Sequence, residues 1–302
     1  MAVITTGNHP KLLWPGIHEL FGNKYNELDK EYTDLFEVRS SARAYEEMVE
    51  TTGFGLVPVK DEGDSSQYDA HIQGVTSRFV HTAYSLGYIV TKEELADNQY
   101  EEVSRQRAGS LAFSANQTRE NVGAQIYNRA FSSSYLGADG VCLLSASHPD
   151  ATAGTQSNLL ATASDFNEAS LEDLTIQIMN VKNSRGLRIS LKPTVLLGPV
   201  NLVYEFERVL KSTLQSDSSL NAVNALRTTG AVPTAKTNHY FTDTDAWFLK
   251  TNAPGGLLWF DRAAVEFNRD SDFDTDNAKA KLYMRFSAGW SEWRALFGTP
   301  GA

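Results

Sequence analysis

Residues 91–131 constrain this chain more than any other stretch. Leu95, Val103, Leu111, Ala115, Val122, Ile126 and Ala130 recur there at intervals of four, seven or eight. Those intervals place them on one edge of an α-helix. Thr91-Lys-Glu-Glu94 opens the stretch as a capping box, in which a hydroxyl and a carboxylate satisfy free backbone N–H groups at the helix start. About forty helical residues span roughly 60 Å, longer than a compact domain of this size needs. The apolar stripe is thin, so most of the helix is predicted to face water or a partner. Gly109 and Gly123 each cost such a helix about 1 kcal/mol relative to Ala and predict a bend or a close contact. A strut of this kind with no catalytic motif beside it predicts an architectural protein.

The segments before the strut read as accessories to it. Residues 1–16 are irregular, with Pro15-Gly16 as punctuation. From Ile17 the positions Ile17, Leu20, Phe21, Tyr25, Leu28, Tyr32 and Leu35 form one helix face. Residues 49–59 and 68–89 are rich in Thr, Val, Tyr, Phe and Gly and flank the polar cluster Lys60-Asp-Glu-Gly-Asp-Ser-Ser66. They predict a long two-stranded hairpin or extended loop. Two strands alone are marginal, so this hairpin must lie on another element or another copy of the protein.

After residue 140 the pattern becomes α/β. Residues 164–167 and Ser170-Leu-Glu-Asp173 open a helix carrying Leu171, Leu174, Ile178 and Val181, with Gly186 as its left-handed cap. Residues 187–191 and 193–197 read as strands, and Asn201 as the cap of a helix over Leu202–Leu210. Residues 211–238 read as a long loop or a small excursion. Trp247–Leu249 and Leu257–Phe260 are short buried strands. Ala280, Leu282, Met284 and Phe286 alternate with polar neighbours in a strand with one wet face.

Composition narrows the function classes. The 302 residues are 41% hydrophobic and 21% charged, with 5 Trp, 12 Tyr and 15 Phe, which predicts a mostly folded chain. A net charge of −10 excludes a protein that grips nucleic acid over a broad basic face. The single cysteine, Cys142, excludes an internal disulfide and reads as a small buried apolar residue. No secretory leader is visible at the N-terminus, and no apolar run reaches membrane-spanning length.

Candidate chemistry is sparse. The sequence has no phosphate-cradling loop, no Gly-x-Ser-x-Gly elbow and no His-Glu-x-x-His. His148, before Pro149, reads as a structural histidine at a turn. The sharpest ionic cluster is Asp270, Asp272, Asp274 and Asp276. It reads as a solvated hairpin turn, as a contact for basic residues of a neighbour, or as a weak metal site. It is not an EF-hand, since Thr275 stands where glycine is needed. No cofactor is expected. Candidate inter-subunit contacts are Lys60, Asp61, Glu62 and Asp64 in the polar loop, and Arg105, Arg107 and Arg119 on the long helix.

Taken together, several phrases resemble a known family. They are Asp139-Gly140, Leu144-Ser145, His148-Pro149, Gln156-Ser157-Asn158 and Lys192-Pro-Thr-Val-Leu-Leu-Gly-Pro199. Ala246-Trp247-Phe-Leu249, Leu257-Leu-Trp-Phe260, Asp272-Phe-Asp274 and Met284-Arg-Phe-Ser-Ala-Gly289 follow in order. Their sequence and spacing resemble the major capsid protein of tailed bacteriophages, closest in look to the head subunits of Mu-like phages. The resemblance implies an α+β chain of the Hong Kong 97-type coat fold. It implies an N-terminal arm at 1–40, an extended β-hairpin loop at 41–90 and a peripheral domain with a spine helix at 91–140. An α/β axial domain at 141–245 and a peripheral β-ribbon at 246–302 complete it. The implied function is structural and non-enzymatic: self-assembly into hexamers and pentamers of an icosahedral head enclosing double-stranded DNA. The implied partners are further copies of itself, a separate scaffolding protein (the arm being short), a portal and a decoration protein. The genome is a non-specific neighbour and no membrane is involved. The implied location is the virion capsid, assembled in the host bacterial cytoplasm. An encapsulin-like nanocompartment shell is the alternative with the same fold, and an enzyme of unknown class a further one.

Overall fold

The computed structural model describes residues 10–96, 100–150, 154–215, 222–232, 234–272 and 277–302, with side chains at 18–94 and from 106 onward within those ranges. In chain order the elements are α1 (Pro10–Glu27), α2 (Tyr32–Leu35), β1 (Glu37–Ser40), β2 (Tyr45–Thr51), β3 (Gln73–Val80), β4 (Thr82–Val90), α3 (Lys92–Ala96) and α4 (Tyr100–Asn128). Then come β5 (His148–Asp150), β6 (Gly154–Gln156), α5 (Glu168–Asn180), β7 (Pro193–Pro199), α6 (Val203–Lys211), α7 (Ala225–Thr229) and β8 (Ala235–Asn238). The chain closes with β9 (Trp247–Thr251), β10 (Leu257–Ser271), β11 (Ala278–Trp290) and β12 (Leu296–Thr299). The fold mixes helix and sheet. One four-stranded sheet runs β1-β10-β11-β4 and a second runs β12-β9-β7-β8; β2-β3 and β5-β6 are separate pairs.

The expected strut is two helices, α3 and α4; residues 97–99 lie outside the described residues, as do the side chains of Leu95 and Val103. Thr91 caps α3 by accepting the Glu94 N–H at 3.3 Å. The 29 residues of α4 reach about 43 Å. Its surroundings correct the expectation of a mostly wet helix. Besides Leu111 and Ala115, the polar residues Asn116, Arg119 and Glu120 are buried, with Ala108, Ala112, Ala124 and Tyr127. Small residues let neighbours approach from several sides, and buried polar groups are held by hydrogen bonds. Gly123 is a close contact: a Cβ there would lie 3.3 Å from both Phe36 and Tyr32. Around this face Trp259 stacks on Phe286 at 4.5 Å and meets Tyr32 at 4.6 Å.

Several expected elements have different bounds. The helix expected from Ile17 starts at Pro10 and breaks before Tyr32, so Pro15 and Gly16 lie inside α1. A proline forfeits one intrahelical bond, which tertiary contact with α4 outweighs. The break lets the Tyr32 N–H reach Glu120 Oε2 at 2.9 Å. The second hairpin run splits at His81: β3 pairs with β2, whereas β4 pairs with β11 in another sheet. Residues 57–59 are not strand. Helix α5 starts at Glu168, where Asn167 and Ser170 form a capping box, and ends at Asn180; Gly186 (φ 81°) sits in a later turn. Residues 187–191 form no strand beyond a bridge between Lys182 and Arg188. Asn201 lies in a short 3-10 turn and does not cap α6. Within the expected loop 211–238 lie α7, capped by Asn224, and β8, which pairs parallel with β7; residues 216–221 and 233 are outside the described residues. The alternation of Ala280, Leu282, Met284 and Phe286 is buried on one side of β11, as its period requires.

Candidate inter-subunit surface

The β2–β3 ladder runs from Tyr45↔Val80 to Thr51↔Gln73 and then opens. Thr52 N–H donates to the Ile72 carbonyl at 3.1 Å, and Ile72 N–H donates to Thr52 Oγ1 at 2.9 Å, closing the root of the loop. Phe54 and His71 meet edge to face across the two legs at 5.9 Å. Asp69 Oδ2 accepts the Gly55 N–H at 2.9 Å. The N–H groups of Gly55 and Ala70, and then the Arg185 guanidinium, hold the Asp69 carboxyl below its usual range.

Beyond this root the chain leaves the body of the subunit. Leu56, Val57, Val59 and Tyr68 are 81%, 94%, 92% and 97% exposed. Burying a side chain of this size is worth roughly 1.5–3 kcal/mol. Contiguous exposed apolar surface of this kind marks an interaction site. Lys60, Asp61, Glu62 and Asp64 are exposed at its tip, where Gly63 adopts φ 88° and the Asp64 N–H donates to the Asp61 carbonyl at 3.2 Å. The segment is a polar turn on apolar legs.

The helix arginines point elsewhere. Arg107 forms a two-pronged bond to Glu94 at 2.8 and 3.1 Å, strapping α3 to α4. Arg119 is buried, which corrects its expected role at a neighbour. Its Nη2 meets both Asp261 oxygens at 2.6 and 2.7 Å, and its guanidinium lies over Tyr32 at 4.8 Å and Trp259 at 5.3 Å. Burial pushes the Tyr32 hydroxyl up to about 12. The side chain of Arg105 lies outside the described residues.

Glu120 is also enclosed. Its Oε1 has no hydrogen-bond partner among the described residues, and burial pushes its carboxyl up to about 7, with Glu31 adding to the shift.

The other candidates have structural partners. His148 is buried, with Nδ1 2.6 Å from Asp139 Oδ2, Nε2 3.1 Å from Asn158 Oδ1 and its ring stacked on Trp293 at 4.6 Å. Cys142 is half-buried; its Sγ donates to the Leu144 carbonyl at 3.1 Å, and burial pushes the thiol up. Asp272 N–H donates to the Asn277 carbonyl at 2.9 Å, closing the β10–β11 connection, and its carboxylate pairs with Lys279 at 2.5 Å. Asp270 accepts the Ser271 N–H at 2.8 Å. Asp274 and Asp276 lie outside the described residues. Among the described residues no three His, Cys, Asp or Glu side chains form a metal cluster, and no helix is long and apolar enough to cross a membrane.

Sequence reasoning missed Arg185 and Asp69, which join the loop root to the turn after α5: Arg185 Nη2 donates to Asp69 Oδ1 at 2.9 Å. No sequence pattern announces a pair 116 positions apart.

No protein-family model matches the sequence, and no curated protein matches it. Solved structures do match. The procapsid of bacteriophage JBD30 aligns over 98% of this chain and 76% of that one, at 13% identity and a TM-score of 0.54. The capsid of Myoviridae phage XM1 aligns over 91% and 92%, at 13% identity and 0.52. The virus-like particle from Pyrococcus furiosus aligns over 94% and 98%, at 11% identity and 0.53. At these identities the likeness is one of fold, and the fold of this chain is the one found in phage capsid structures.

Proposed function

We propose that this chain is the major capsid protein of a tailed bacteriophage, related to the Mu-like head subunits. It is a structural, non-catalytic subunit that self-assembles into hexamers and pentamers of an icosahedral head around double-stranded DNA. The observation that carries this reading is the exposed apolar segment within 52–72, projecting from a fold shared with capsids. Lys60, Asp61, Glu62 and Asp64 at its tip are the contacts to a neighbour; Arg107, with about a third of its side chain exposed, is a further one. A net charge of −10 keeps the shell wall from binding the packaged genome through phosphate contacts. A separate scaffolding protein, a portal and a decoration protein complete the particle, which forms in the bacterial cytoplasm. An N-terminal arm, spine helix and axial lobe are the parts assigned to 1–40, 91–140 and 141–245.

The likeness to the Pyrococcus furiosus particle favours a second reading, an encapsulin-like compartment that holds cargo protein and lacks a portal. Purified protein followed by size exclusion and negative-stain electron microscopy tests both. Hollow shells, tubes or ring-shaped capsomers are expected. A strictly monomeric protein at every salt concentration rejects both readings, and shells with a co-purified protein cargo in place of a portal select the second.

A further inference from the structure

Arg185 ties both legs of the loop root to the α/β lobe. Arg185 Nε donates to the Gly53 carbonyl at 3.2 Å, and Nη2 donates to Asp69 Oδ1 at 2.9 Å and to the Ala70 carbonyl at 2.6 Å. One guanidinium therefore spans both legs of the loop. Its own position is fixed by a tight turn. Asn183 Oδ1 accepts the N–H groups of Arg185 at 3.0 Å and Leu187 at 2.8 Å, and Gly186 N–H donates to the Asn183 carbonyl at 2.9 Å. Gly186, at φ 81°, allows that turn. The neighbouring Ser184 hydroxyl bonds to Glu50 at the end of β2.

Packing does not do the same work. A cavity of about 320 Å³ lies at the root, between Glu50, Thr52 and Gly53 on one side and Asn183, Ser184 and Ile189 on the other. The Arg185 side chain is 17% exposed and Asp69 49%, so solvent screens the ion pair and the bonds to the two carbonyls add to the hold.

We propose that Arg185 is a clamp that sets the direction in which residues 56–67 leave the subunit, and so presents Leu56, Val57 and Val59 to a neighbouring copy. This rests on reading that segment as a contact between copies. Arg185 is a positioning residue: it acts on the contact through the loop root. Its fork geometry is essential, because a lysine is a point charge that cannot bridge Gly53, Asp69 and Ala70 together.

The test uses spin labels on the unassembled full chain, at Leu56→Cys and Asp173→Cys in a Cys142→Ser background. Arg185→Ala broadens the label distance distribution about twofold, because the freed root samples many directions. It also raises the concentration needed for assembly about tenfold. Arg185→Lys broadens the distribution as well, although it keeps the charge. An unchanged width and assembly threshold in folded Arg185→Ala overturns the clamp. Should that variant fail to fold, Arg185→Lys decides: the wild-type width overturns the clamp and a broader one supports it. The two readings fail separately. Unmodified chains that never assemble reject the shell, while the width still decides the clamp; chains that assemble alike with and without Arg185 reject the clamp alone.

Discussion

Helix α4 and the segment 52–72 are opposite solutions within one subunit. On α4 even charged side chains face inward: Arg119 holds Asp261, and Glu120 takes the Tyr32 N–H on one of its two oxygens. In 52–72 even valines face water. One region is finished within the chain; the other is held only at its root. Val57 and Val59 bury almost nothing within their own fold, and theirs is the apolar surface that the proposed contact between copies would cover. The difference predicts that stability and the proposed assembly are carried by different residues and are separable by mutation.

The hardest blow to the finished region is Trp259→Ala. Trp259 is fully buried against Tyr32, Phe36 and Phe286, and its loss costs about 3–5 kcal/mol. Urea denaturation measures it, and a loss under about 1 kcal/mol shows that α4 is not the centre of the core. Arg119→Ala leaves the partly buried Asp261 carboxylate with the Trp259 indole N–H and no cation, and costs about 3 kcal/mol; Arg119→Ala with Asp261→Asn recovers part of that in a double-mutant cycle. Full additivity of the two changes rejects the pair as a unit.

Glu120→Gln goes the other way. The folded value of about 7 lies above the ordinary 4.5, so folding favours the neutral acid. That contribution is complete below pH 4.5 and is lost as pH rises through 7. Wild-type stability therefore falls by up to about 3 kcal/mol across that window. Glu120→Gln flattens the fall and is the more stable protein at pH 8. Parallel melting curves of the two proteins from pH 4 to pH 8 remove Glu120 as the cause.

The smallest effect on stability falls at the loop. Val57→Ser with Val59→Ser changes unfolding free energy by less than about 0.5 kcal/mol, yet abolishes shells in electron micrographs. Deleting residues 61–66 likewise leaves the monomer folded and impairs assembly. Collapse of monomer melting with normal assembly of the survivors would erase the contrast between the two regions.

How much of this is legible in the sequence follows from the range of the interactions. The β11 alternation and the cap at Thr91 are local patterns and were readable. The burial of Arg119 was not, because a thin stripe on a helical wheel says nothing of Asp261, 142 positions away. Strand β8, AKTN, has no apolar alternation and exists through its parallel pairing with β7. The loop tip was readable as polar and turn-prone; its root was not, since Arg185 reaches it from another part of the chain. Residues 187–191 carried strand propensity and found no ladder, which is tertiary context overriding composition.

The order of strands in the first sheet also fixes an order of events during synthesis. Residues 37–40 pair in parallel with 258–261, and residues 82–90 pair with 278–286. Neither early segment has its partner until synthesis has passed residue 258 for the first and residue 278 for the second. Such distant closure makes folding slow. It also means that a chain stopped before residue 258 holds neither early strand in its sheet, however well its helices have formed.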